Sequence, residues 1–289
     1  MTVTLADLAA EITQKSREVI YDTDHLTLEA NGFIAKPWTD ETLRNFLQKL
    51  VSINQMTITV DVKSKLKVFS KFRMEDVCAL YGLEYDSVNP HRQFPVFECQ
   101  DEHVDDNLLS YLMQELNSRI ALTPENEAPE AHHSIYIYCI LHAIAKSSTL
   151  ELMVLAERYV VGSKAMGKVD YSIELGNGPI LGITEVKRNN FSLGIAQNAM
   201  QIRSAVEYNK RRKLGIDQRC FGIATNAERW YFLQYIPGQT PMISKEYQAM
   251  FQGKFLRDEV SKIVGILSWL LKVVSDTEPQ KKKLKLEIA

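Results

Sequence analysis

The segment from Gly167 to Tyr235 limits the fold more than any other part of the chain. It reads GKVDYSIEL, then GNGP, then ILGITEVKR, a long helical run, and finally FGIAT and WYFLQY around a turn at Asn226–Arg229. Apolar runs rich in β-branched and aromatic residues, bounded by Gly, Asn and Pro, mark strands joined by tight turns. Two hairpins separated by a helix require a mixed sheet with helices against it, so the fold class is α/β.

Centring the first hairpin on Asn177 and Gly178 puts Asp170 directly opposite Glu185, on the same face. Opposed carboxylates repel, so the pair asks for a cation. Lys187, two residues beyond Glu185, lies on that same face. Gln197 and Gln201, four residues apart, share a face of the following helix. Two carboxylates and a backbone carbonyl make a hard oxygen site for Mg²⁺. Such an ion polarises a phosphate and supplies hydroxide, while a neighbouring lysine orients water and offsets charge on phosphorus. The set suits hydrolysis of a phosphodiester.

The order Asp170, Glu185-Val186-Lys187 and GIAQNAMQ resembles the PD-(D/E)XK, or restriction-endonuclease-like, nuclease superfamily. More narrowly, it is similar to the nuclease-like toxin domains of Crinkler-type effectors of fungi and oomycetes. The matching segments are Asn126-Glu127-Ala128, Gly167–Asp170, Thr184–Arg188, Gly194–Gln201 and Phe221–Phe232, within about residues 120–236. The resemblance implies a restriction-endonuclease-like mixed central sheet flanked by helices. It makes Asp170, Glu185, the Val186 carbonyl and Glu127 metal ligands, Lys187 the catalytic lysine, and Gln197 and Gln201 supporting amides. Val169 stands at the proline position of the superfamily name, and Pro129 and Glu130 follow NEA where related sequences carry a basic residue. The implied activity is Mg²⁺-dependent cleavage of DNA, with Mn²⁺ as a substitute and RNA left open. The rival reading is a catalytically silent DNA-binding or protein-interaction module on the same fold.

Other motifs carry weaker signals. Asp61-Val62-Lys63 repeats the acid-x-lysine pattern without an upstream acid or a glutamine helix, and reads as a solvated strand edge. GSKAMGKV, Gly162–Val169, fits a phosphate loop until Val169, which lacks the hydroxyl that binds Mg²⁺, and a strand follows where a helix should. A nucleotide site is rejected. KRRK, Lys210, Arg211, Arg212 and Lys213, ends the glutamine helix, where cations suit the dipole and, with Arg188, could meet phosphates. A second cluster, Lys281–Lys285, lies in a tail read as disordered.

The remaining organisation follows from periodicity. Residues 1–50 read as mostly helical, MTITVDVKSKLKVF as one strand and RMEDVCALYGL as a helix. The polar stretch DSVNPHRQFP suggests a boundary between Tyr85 and Glu102. This gives an additional N-terminal α+β module over 1–100, a nuclease-like domain over 103–275 and a basic tail over 276–289. A chain of 289 residues, 45% hydrophobic and 24% charged, can bury such cores. Its formal charge of -2 means that attraction to nucleic acid must be local. Cys78, Cys99, Cys139 and Cys220 lack zinc-site spacing and read as reduced core thiols. His132 and His133 read as structural residues with satisfied nitrogens. No signal peptide is read at the start, and the apolar run Ile263–Val274 is shorter than the ~20 residues a bilayer needs. The expectation is a soluble protein without a membrane partner, acting in a nucleus or cytoplasm, including that of a host cell after secretion. A homodimer and a host protein partner are compatible with that expectation.

Overall fold

The computed structural model describes residues 25–30, 33–35, 40–54, 58–63, 66–89, 93–121, 130–176, 178–212, 219–251 and 254–275. The chain divides into two compact units, Met1–Leu66 and Lys67–Ala289.

In the first unit, β1 (His25–Ala30) pairs antiparallel with β2 (Phe33–Ala35) and β3 (Thr59–Lys63). Helix α1 (Asp40–Ser52) buries Leu43, Phe46 and Leu50, a helical spacing, in one cluster with Leu28 and Ala30. The mostly helical expectation for residues 1–50 fails at β1 and β2; residues 1–24 lie outside the described residues. HLTLEA alternates, but its principal partner is β3, about thirty residues downstream, and such pairing leaves no mark on local periodicity.

The second unit contains β4 (Lys67–Val68), a 3-10 turn (Phe69–Lys71), α2 (Met74–Tyr81), α3 (Asp106–Ile120) and α4 (Glu130–Ser147). There follow β5 (Leu152–Val161), β6 (Ala165–Leu175), β7 (Ile180–Val186), α5 (Phe191–Arg211), β8 (Cys220–Thr225) and β9 (Arg229–Tyr235). Short strands β10 (Met242–Ile243), β11 (Tyr247–Gln248), β12 (Met250–Phe251) and β13 (Lys254–Phe255) lead into α6 (Arg257–Ser275). The central sheet is mixed and runs β10-β9-β8-β7-β6-β4, with β11 added to β9 and β5 to β6. β7 and β8 are parallel, which is why a helix, α5, must connect them.

Both faces of the sheet are covered, so β7 and β8 are buried at every residue. Along β8, Cys220 and Ala224 pack with α5, whereas Phe221 and Ile223 face the cluster of α3, α4 and α6. The run Ile263–Val274 belongs to α6 and is largely buried in that second cluster. No described helix is long and apolar enough to cross a membrane. All four cysteines are free, with Cys78 and Cys220 buried.

Two expectations are corrected here. MTITVDVKSKLKVF is two strands rather than one: β3 pairs with β1, whereas β4 runs parallel to the start of β6. The boundary also moves from 85–102 to Leu66/Lys67. Phe69, Phe72, Met74, Val77, Cys78 and Phe94 share the α5 core, and Val96 bridges Ile243 on β10. Within the polar stretch that suggested a linker, Gln93 accepts from the Asp86 amide and donates to the Asn89 carbonyl.

Candidate active site

Three elements meet at one end of the hairpin. Tyr171 opposes Thr184, the register that brings Asp170 level with Glu185, and a bulge nearer the turn absorbs Leu181. The Val186 amide donates to Asp170 Oδ2 at 2.6 Å. Glu185, only 5% exposed, points at α5. Its Oε1 lies 2.6 Å from Lys187 Nζ, and its Oε2 accepts from Gln201 Nε2 at 2.5 Å.

The motif GIAQNAMQ is accounted for residue by residue. A Cβ on Gly194 would lie 2.9 Å from Lys187 Cγ, so glycine lets the first turn of α5 back onto the lysine. Asn198 donates to the Ile183 carbonyl at 3.0 Å and to Gln201 Oε1 at 3.3 Å. Because the Gln201 oxygen faces Asn198, its NH₂ is presented to Glu185. Gly222 makes room for Asn198: a Cβ there would stand 1.9 Å from its Oδ1. Gln197 is buried one turn before Gln201. Asn198 was missed by sequence reasoning, although its spacing of three from Gln201 was a usable signal.

Burial and the nearby Asp170 push the Glu185 carboxyl from an ordinary 4.5 up to about 7, against the pull of Lys187 and Gln201. Burial also raises Asp170, opposed by the Val186 amide and Lys187 and reinforced by Glu130 and Glu157. Burial works against the Lys187 ammonium, but Glu185, Asp170 and Glu130 outweigh it, so its pKa is raised and it remains a cation. Two further acids thus belong to the neighbourhood. Glu130, at the start of α4, accepts a long 3.4 Å bond from the Arg188 amide. Glu157 lies level with Asp170 in the β5 ladder, at φ 52, and pairs with Lys168 at 2.6 Å.

The donor chemistry fits a hard divalent cation. Two carboxylates that resist ionisation beside one another would ionise more readily with a cation between them. Among the described residues, no group of three or more His, Cys, Asp and Glu side chains is placed to hold a metal. Asp170 and Glu185 would therefore leave most coordination positions to carbonyl, water or substrate oxygens.

The other sequence candidates fall elsewhere. Asn126-Glu127-Ala128, Lys213 and the tail 276–289 lie outside the described residues. Asp61 is on β3, in the first unit. Lys210, Arg211 and Arg212 end α5, about 15 Å along the helix from Gln201. There Arg211 caps the Val161 carbonyl and Arg212 donates to Tyr208 Oη at 2.6 Å. Arg188, by contrast, is at the site and exposed. The rejected phosphate loop has a physical account: the Ser163 amide and hydroxyl donate to the Glu207 carboxylate, at 2.5 and 2.9 Å, and the chain continues into β6. The Nδ1 atoms of His132 and His133 are buried with no hydrogen-bond partner among the described residues, contrary to the expectation of satisfied nitrogens.

Over 246 residues the chain is 32% identical to "Crinkler effector protein 1" of Rhizophagus irregularis. The chain is a relative of a Crinkler effector protein. The match takes in 81% of this chain but 52% of the effector, so the chain spans about half the length of the curated relative. No family model matches the chain.

The raised Glu185 carboxyl has a consequence for stability. Between about pH 4.5 and 7 the folded state binds more protons than the unfolded chain at this position. Unfolding free energy therefore falls as pH rises through that window and levels off above it. Urea melts of wild type and Glu185→Gln should diverge progressively across this range, with the variant the less pH-sensitive, and Mg²⁺ should recover part of the wild-type loss above pH 7. Parallel pH profiles for the two proteins would contradict this assignment.

Proposed function

We propose that the chain is a PD-(D/E)XK nuclease that hydrolyses phosphodiester bonds of nucleic acid, with DNA as the expected substrate. The observation that carries this reading is the cluster of Asp170, Glu185, Lys187 and Gln201, assembled from β6, the β7 end and α5. The restriction-endonuclease-like assignment of the mixed sheet rests on the same cluster and on the hairpin, helix, hairpin order. Asp170 and Glu185 would hold Mg²⁺ or Mn²⁺, whose chemistry when bound is to polarise phosphate and lower the pKa of water. Lys187, a cation fixed at 2.6 Å from Glu185, is suited to offset charge developing on phosphorus. Gln201 keeps the Glu185 carboxylate aimed, and Asn198 keeps Gln201 aimed.

The relative's name supports an effector role, and the basic residues of Lys210–Arg212 and the tail suit action in a host nucleus. The test is incubation of the purified chain with linear DNA, circular DNA and RNA in Mg²⁺, Mn²⁺ or EDTA. Cleavage in either metal and none in EDTA is expected. A protein that binds nucleic acid yet cuts none of the three would leave the binding-module reading in its place.

A further inference from the structure

Helix α4 carries a stripe that the proposed chemistry leaves unused. Glu130, Ser134, Tyr138, His142 and Lys146 recur at every fourth residue, so each adjoins the next, about 6 Å along and about 40° around the helix, in a line that winds across its surface. The stripe begins at the site, where Glu130 meets the Arg188 amide and acts on Asp170 and Lys187. The helix rise places Tyr138 about 12 Å and Lys146 about 24 Å from Glu130.

Along this line, rings and cations stand in the open. Tyr138 is 41% exposed, packs at 5.7 Å on Tyr171 and stacks at 6.1 Å on His142. Lys146 lies 5.6 Å over the ring of Tyr111, a residue of α3 that is 58% exposed. Between α3 and α4 runs a groove of 490 Å³ that these residues line together with Arg119. Arg119 is paired with Glu115, so the lining carries two permanent cations against one carboxylate. A groove for a partner helix would present aliphatic anchors. Here Leu108 is half-buried and Leu112 and Ala143 are buried, and the exposed members are two tyrosine rings, an imidazole, two cations and Ser147, the chemistry of a surface on which unpaired bases stack while phosphates meet positive charge.

We propose that this groove takes the single-stranded nucleic-acid segment flanking the cleaved phosphate, with bases on Tyr138 and Tyr111 and phosphates toward Lys146 and Arg119. The proposal rests on the nuclease reading and narrows its substrate to an unpaired strand, because a duplex offers no free base faces along its length.

The experiment is a fluorescence-anisotropy titration of the full chain in EDTA, where cleavage is blocked. The probes are oligothymidylate, oligouridylate and a blunt duplex of equal length. At least one single strand should bind more tightly than the duplex, and the better of the two identifies DNA or RNA. Tyr138→Ala and Tyr111→Ala should each weaken single-strand binding roughly tenfold, within the range for one lost base stack. Tyr138→Phe should retain it. Lys146→Glu, at an exposed position, should weaken binding and flatten its salt dependence. Unchanged affinity in Tyr138→Ala and Lys146→Glu, or an equal loss for the duplex, would overturn the proposal. Because cleavage is not read, a protein that shows this pattern yet cuts nothing refutes only the nuclease reading.

Discussion

Replacing Lys187 with alanine should lower the rate of phosphodiester cleavage about a thousandfold, some 4 kcal/mol of transition-state stabilisation, while divalent-cation binding survives. The expectation follows from the charge balance of the cluster. Lys187 is the cation that faces Glu185 and Asp170, and it stays protonated because those acids outweigh the cost of its burial. Removing it leaves both carboxylates in place, and an added metal ion then meets less competing positive charge. Asp170→Ala and Glu185→Ala should behave differently, losing metal affinity and cleavage together, since each removes one of the two carboxylates proposed to hold the ion. Asp61→Ala serves as the control: it alters the same acid-x-lysine pattern on β3, in the other unit, and should cut as wild type does. Calorimetric titration with Mn²⁺ beside single-turnover cleavage separates the two classes. If Lys187→Ala cuts at the wild-type rate, the lysine has no role in the chemistry.

The second large effect concerns folding. A fragment beginning at Lys67 should fold and melt cooperatively, whereas one beginning at His103 should not. Residues 67–102 supply β4 and α2 and bury Phe69, Phe72, Met74, Val77, Cys78 and Phe94 against α5 and the sheet. At about 1.5–3 kcal/mol for each large apolar side chain, their loss is on the order of 10 kcal/mol. That is comparable with the whole stability of an ordinary domain. The shorter fragment would also lose the pairing of Val96 with Ile243 and uncover the side of α5 on which Tyr81 meets Arg203. Circular dichroism melts of the two fragments decide the matter. A cooperative transition in the shorter fragment near that of the longer would contradict the boundary at Leu66.

What the sequence determined by itself was local. Turn chemistry at GNGP and alternation on either side defined the β6–β7 hairpin, and strand pairing across that turn was enough to group Asp170, Glu185 and Lys187. Period-2 and period-3.6 patterns likewise marked β8, β9, α2 and α5, because burial on a fixed face imprints composition directly. The tertiary structure alone decided what depends on partners distant in sequence. It separated β3 from β4 into different sheets, drew residues 67–102 into the unit that carries the site, and brought Glu130 to Arg188 across 58 residues. It also gave Asn198 its task, since that side chain is fixed by Ile183 from one strand and by the missing Cβ of Gly222 on another. Hydrogen-bond direction and shared desolvation are properties of assembled groups, so neither the aim of Gln201 nor the raised Glu185 carboxyl could be read from spacing.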